Sequence, residues 1–79
     1  MSWKVYIIRT KSGKLYTGIT TDLERRFNEH RTKSGAQFFN TSAPDYVVYT
    51  ESYPNRSEAT KREIEIKKMS RIKKMELID

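Results

Sequence analysis

Trp3-Lys4-Val5-Tyr6-Ile7-Ile8-Arg9, then Thr10-Lys11-Ser12-Gly13, then Lys14-Leu15-Tyr16-Thr17-Gly18-Ile19-Thr20 open the chain, and their reading decides the fold. Two runs rich in β-branched and aromatic residues flank a short polar turn ending in glycine. This pattern predicts a β-hairpin. Successive strand residues point to opposite faces, so Tyr6 and Tyr16 share a face only if the turn holds an odd number of residues, unless a bulge intervenes.

Working outward, Thr21-Asp22-Leu23-Glu24 has capping-box spacing, a hydroxyl followed three residues later by a carboxylate. It opens a helix expected to run to about Thr32, before Ser34-Gly35. At roughly 100° per residue, Phe27 falls near +40° from Leu23, His30 near −20° and Arg26 near −60°, whereas Arg25 points away to solvent. A loop from Ala36 to Pro44 follows, with Phe38 and Phe39 as its anchors. Tyr46 to Ser52 reads as a third strand, and Pro54-Asn55 breaks it. Asn55 with Glu58 offers a second cap, for a helix from about Arg56 to Met69. The three-residue spacing of Ile72, Met75 and Ile78 then predicts a kink or a separate short final helix.

The order β-β-α-β-α-α predicts an α+β fold: a small three-stranded antiparallel sheet flanked by helices, residues 1–79 forming one domain. With 79 residues, such a chain buries only about 60% of its unfolded surface, so a thin core is expected. A composition of 35% hydrophobic and 33% charged residues fits a globular domain rather than disorder. Cysteine is absent, which excludes disulfides and thiolate metal sites and agrees with a cytoplasmic location. No run is apolar enough to suggest a signal peptide or a membrane span. The net charge is +6, and Lys61, Arg62, Lys67, Lys68, Arg71, Lys73 and Lys74 crowd the last third. Such a field attracts polyanions, although a merely solvated helix surface has the same composition.

On the second long helix Ala59, Glu63 and Ile66 share one stripe while Ile64 falls on the other side. A carboxylate between two apolar neighbours is costly unless paired or bound to metal. Spacing leaves both readings of Glu63 open, metal ligation or an ion pair with Arg26 or a lysine. His30 alone is equally well a hydrogen-bonded core residue, and five tyrosines are mostly packing. The combination of two strand tyrosines, Arg26, His30 and Glu63 facing one cleft is what points to chemistry.

That ordered set resembles the GIY-YIG nuclease family, in particular its small single-domain, excinuclease-like bacterial members. The resemblance runs through Val5-Tyr6-Ile7, Tyr16-Thr17-Gly18, the stretch from Asp22 to His30, and Ala59-Thr60-Lys61-Arg62-Glu63. It departs from the family at Lys4-Val5 and Thr17, where the name triplets carry other residues. No asparagine follows Asn55, and Gln37-Phe38-Phe39-Asn40 replaces a basic and aromatic loop. The resemblance implies a metal-dependent endonuclease that hydrolyses DNA phosphodiester bonds, in repair or recombination. Tyr6 would be the general base and Tyr16 would position water or phosphate. Arg26 would stabilise the phosphate as it becomes pentacoordinate, with His30 beside it, and Glu63 would bind one Mg²⁺ or Mn²⁺. Gly18 would allow close approach. Lys14, Arg25, Lys67, Lys68 and Arg71 are the expected contacts to nucleic acid. A nucleic-acid-binding module without catalysis and a domain serving a protein partner are the alternatives.

Overall fold

The computed structural model describes residues 2–32 and 42–79. Two strands, β1 (Trp3–Thr10) and β2 (Leu15–Thr20), are followed by helix α1 (Leu23–Arg31) and strand β3 (Pro44–Tyr53). Helices α2 (Arg56–Lys67) and α3 (Arg71–Ile78) complete the chain. The sheet is antiparallel with the order β2-β1-β3. Fold class and element order therefore follow the sequence expectation.

The hairpin turn consists of Lys11, Ser12 and Gly13, an odd number. Thr10 N donates to Lys14 O at 2.9 Å, and Gly13 N donates to Thr10 O at 3.0 Å. Gly13 sits at φ 89, the left-handed position that closes a three-residue hairpin and that glycine occupies without a Cβ penalty. The register pairs Tyr6 with Gly18 and Ile8 with Tyr16. Directly paired residues share a face, so Tyr6, Ile8, Tyr16 and Gly18 all lie on one side.

Because β1 is central and both faces of the sheet are covered, Val5 to Ile8 is a continuous buried run rather than an alternating one. Leu23 and Phe27 of α1 pack with Tyr6, Ile8, Tyr16 and Val47 on one face. Ala59 and Ile66 of α2, with Leu77 and Ile78 of α3, pack with Val5 and Ile7 on the other. Ile64 is exposed, as its helical angle requires.

Three boundaries differ from the sequence reading. Asp22, not Thr21, caps α1, its carboxylate accepting from Arg25 N at 3.1 Å. Thr20 Oγ1 accepts from Asp22 N at 3.1 Å, which turns the chain one residue later than the capping-box spacing implied. Pro44, expected in the loop, already pairs with Thr10 in β3. A proline is tolerated there because it is the first residue of an edge strand. The second long helix stops at Lys67, and Ser70 caps a separate α3 by accepting from Lys73 N, so the separate-helix alternative holds. Asn55 caps α2 as expected, accepting from Glu58 N at 2.9 Å. The expected helix stop at Ser34-Gly35 and the Phe38 and Phe39 anchors lie outside the described residues.

Candidate active site

Hairpin register and α1 together build one polar cluster inside an otherwise apolar layer. Tyr6 comes from the central strand and is 1% exposed, and His30 from the last turn of α1 is fully buried. The Tyr6 hydroxyl lies 3.0 Å from His30 Nε2, and donates to it when the imidazole carries its proton on Nδ1. Tyr16 sets its ring edge-on to His30, with centroids 5.2 Å apart, and tilted to Tyr6 at 6.3 Å. Ile8, Leu23, Phe27 and Val47 pack in one cluster with the two tyrosines.

Gly18 makes this packing possible. An added Cβ would stand 2.5 Å from the Tyr6 hydroxyl oxygen and 2.7 Å from Cζ. The Tyr6 ring therefore lies across Gly18 toward the free edge of β2, and the absent side chain is the space it occupies. What approaches Gly18 closely is this tyrosine.

Electrostatics sharpen the picture. Burial, then the neighbouring Tyr16 and Glu63, push the Tyr6 hydroxyl up to about 12, against a smaller downward pull from Arg26. Burial, then the Arg26 charge, push His30 down to about 4, so it is neutral at pH 7. Arg26 thus acts on both groups, while its guanidinium is held by Glu29 at 3.2 Å one turn along α1. Arg25 is exposed, as its helical angle required.

On α2, Glu63 is partly buried on the inward stripe, its side chain 19% exposed, and Lys67 one turn on approaches it at 3.4 Å. Among the described residues the ion pair of Glu63 is with this lysine, and Arg26 takes Glu29 instead. The expected phosphate-contacting residues do not form one surface. Arg25 borders a cleft of about 440 Å³ with Arg26 and Arg56. Lys14 and Arg71 line a separate pocket of about 270 Å³ with Lys74, at the hairpin turn, where Arg71 donates to Gly13 O at 2.9 Å. Lys67 is engaged by Glu63, and Lys68 ends α2 in solvent.

Sequence reasoning missed a second cluster. Glu51 of β3 accepts from Arg62 Nε at 2.9 Å and Nη2 at 3.1 Å, and from the hydroxyls of Tyr49 and Tyr53. Burial works against the Glu51 charge, but the bonds from Arg62, Tyr49 and Tyr53 together hold its carboxyl below the usual range. This forked pair clamps α2 to β3. Tyr49, Glu51 and Tyr53 at alternate strand positions were the available signal, because they must share a face.

The GIY-YIG catalytic domain model matches residues 2–76. The chain belongs to the GIY-YIG family. A UPF0213 protein of Staphylococcus saprophyticus is 45% identical over 74 residues, which is 94% of this chain and 90% of that protein. A UPF0213 protein of Desulfotalea psychrophila is 44% identical over 78 residues, covering 98% of this chain and 71% of its own length. The solution NMR structure of a UPF0213 protein from Bacillus halodurans superposes with a TM-score of 0.63 at 40% identity, covering 99% of this chain and 83% of that one.

GIY-YIG nucleases use divalent cations, and Glu63 fits such an ion. It is a carboxylate held at the helix–sheet boundary, with a flexible lysine as its ion-pair partner. No three metal-ligating side chains cluster among the described residues. A single carboxylate suits a hard cation that keeps most of its water, as Mg²⁺ does, rather than a fully caged Zn²⁺. No helix among the described residues is long and apolar enough to cross a membrane.

Proposed function

We propose that this chain, acting as one domain, is a divalent-metal-dependent endonuclease that hydrolyses phosphodiester bonds in DNA. The observation that carries the reading is the buried Tyr6–His30 hydrogen bond beside Arg26, with Tyr16 packed against both rings. In this reading Arg26 holds a non-bridging oxygen of the scissile phosphate and stabilises the charge that grows in the pentacoordinate transition state. Glu63 holds the metal ion, whose chemistry is to polarise the phosphate and stabilise the leaving 3′-oxygen. Tyr16 orients the attacking water.

Tyr6 works as a relay. Its hydroxyl oxygen takes a proton from the attacking water while its own proton passes to His30 Nε2, so Tyr6 stays neutral and the imidazole becomes the cation. Lys14, Arg25 and Arg71 contact phosphates away from the reacting bond. Such contacts carry no sequence information, so recognition is by DNA shape. Branched, damaged or single-stranded DNA, met in repair or recombination and with or without a protein partner, is the substrate class that follows.

The test is cleavage of labelled single-stranded, duplex, flapped and branched DNA with Mg²⁺, Mn²⁺ or EDTA. Arg26→Ala is expected to lower the cleavage rate about 10²- to 10³-fold while DNA binding persists. Glu63→Ala should remove the metal dependence. A second reading, a nucleic-acid-binding module without hydrolysis, rests on the two cationic depressions at opposite ends of the hairpin. Salt-dependent binding with no metal-dependent cleavage would establish it in place of the first.

A further inference from the structure

The cleft that Arg26 borders extends to the end of the sheet where β1 begins. Trp3, Ile19 and Thr20 line it, with Arg25 and Arg56 at its rim. Among the described residues Glu29 is the one carboxylate in the lining, and it is engaged by Arg26 at 3.2 Å. No carboxylate among the described residues pairs with Arg25 or Arg56. Among the described residues the cleft thus carries two guanidinium charges without a carboxylate partner, next to a third that faces Tyr6.

Trp3 gives the cleft its second character. Part of the indole packs against the Val5 and Ile7 core, which holds the ring in place, and the rest faces the cleft. The Arg56 guanidinium carbon sits 5.7 Å from the ring centroid. That is near the outer limit for a cation over an aromatic face, so the guanidinium covers the ring loosely and is displaced at small cost. A partly exposed indole anchored on the core and flanked by arginines matches what single-stranded nucleic acid requires: a π-face for the base and cations for the phosphates on either side. A base inside a duplex has both faces stacked and cannot use such a platform.

We propose that this cleft is a subsite for one unpaired nucleotide of a DNA strand, its base stacked on Trp3 and its flanking phosphates held by Arg25 and Arg56. The inference rests on the nuclease reading, because Arg26 would hold the scissile phosphate at the inner end of the same cleft. It narrows the substrate to DNA with an unpaired nucleotide beside the cut: a single strand, a flap or a frayed end.

Trp3 is the sole tryptophan, so its fluorescence reports this cleft alone. The experiment titrates the full chain in EDTA with a dye-labelled oligothymidylate, reading binding by dye anisotropy and Trp3 emission in parallel. Emission should fall in proportion to the bound fraction, and a blunt duplex should bind without quenching. Trp3→Ala should weaken single-strand binding about tenfold, the usual effect of removing one stacking platform. Because Trp3 also packs on the core, Arg56→Ala serves as a second variant. This exposed residue should cost several-fold in single-strand affinity while leaving thermal unfolding unchanged. Saturated anisotropy with unchanged Trp3 emission would overturn the subsite, as would equal quenching by duplex. Stronger quenching by oligouridylate would overturn its assignment to DNA. Cleavage with Mg²⁺ is scored separately. Cleavage without quenching removes the subsite and leaves the nuclease, and quenching without cleavage does the reverse.

Discussion

Replacing Gly18 by alanine should destabilise this protein and disable it, although the same change in an ordinary strand does the opposite. Gly18 has no left-handed backbone requirement; Gly13 is the glycine with positive φ. In a strand interior a glycine costs roughly 0.5–1 kcal/mol relative to alanine, so without other effects the substitution would stabilise. The added Cβ, however, stands 2.5 Å from the Tyr6 oxygen, 2.7 Å from Cζ and 3.2 Å from Tyr16 Cε2, where ordinary contact begins at 3.4 Å. Tyr6 must retreat by about 0.9 Å, the difference between the 3.4 Å and 2.5 Å distances. Leu23 and Phe27 close the space behind it. A displacement of that size is large enough to disrupt the 3.0 Å bond to His30.

Overpacking of this kind costs about 1–3 kcal/mol, and a buried polar group left unpaired costs about 1–3 kcal/mol more. The net expectation is a loss of roughly 2–4 kcal/mol. For a domain this small each kcal/mol moves the melting temperature by about 4–8 °C, so Gly18→Ala should melt at least about 8 °C lower. Cleavage, measured at a temperature where both proteins are folded, should fall about 100-fold through misplacement of Tyr6. Repeating the change in a Tyr6→Phe background removes the closest atom, and the alanine should then cost about 1 kcal/mol less. A Gly18→Ala protein with unchanged or higher melting temperature and intact cleavage would refute the close-packing argument. An equal cost in both backgrounds would show that the hydroxyl is not the atom displaced.

His30 sets a pH dependence of stability. Its folded pKa of about 4 lies below the unfolded value of 6.5, so the unfolded chain binds more protons in that window. The contribution is fully present above about pH 6.5 and lost as pH falls toward 4. The loss approaches about 3 kcal/mol at 1.36 kcal/mol per unit, and denaturant midpoints across this range should flatten in His30→Gln. Tyr6 does the reverse at high pH, stabilising below its unfolded value of 10.0 and ceasing to do so as pH passes through about 12. Glu51→Gln should cost about 1–3 kcal/mol by breaking the charged fork to Arg62, read by urea denaturation, while single-turnover cleavage of the folded fraction stays unchanged. Tyr6→Phe should lower single-turnover cleavage about 10²- to 10⁴-fold, the usual contribution of a proton-transfer group, with DNA affinity retained.

Local chemistry is why so much of the fold was legible. The hairpin is specified by its turn glycine and flanking strand residues, and the helices by Asn55 and the apolar stripes through Leu23, Phe27, Ala59 and Ile66. The position of Arg26 at the margin of its stripe followed from helical angle alone. Features that join residues distant in sequence were not legible. Which carboxylate Arg26 would take depended on whether Glu29, one turn away, lay nearer than Glu63 on the opposite layer. The Glu51–Arg62 fork and the Trp3–Arg56 contact both depend on the register of β3 and the crossing of α2, which no local pattern encodes. Gly18 was legible as a place of close approach, but not the tyrosine that approaches it, because that depends on turn parity.

In the proposed reaction the two perturbed groups also decide how Tyr6 would serve as a base. With its hydroxyl near 12, the phenolate at pH 7 is about one part in 10⁵, a cost of about 7 kcal/mol before any chemistry begins. Charging His30, near 4, costs about 4 kcal/mol at the same pH. Passing the water proton through Tyr6 to His30 is therefore the cheaper route, provided the 3.0 Å bond is kept. Substrate widens the gap. A bound phosphate disfavours a phenolate beside it and favours an imidazolium, and it offsets the Arg26 charge that helps to hold His30 neutral. In that proposal His30 is poorly basic in the empty site and would become a better proton acceptor as DNA arrives. Burial that looks unfavourable for both groups would then keep the pair uncharged until the phosphate is in place.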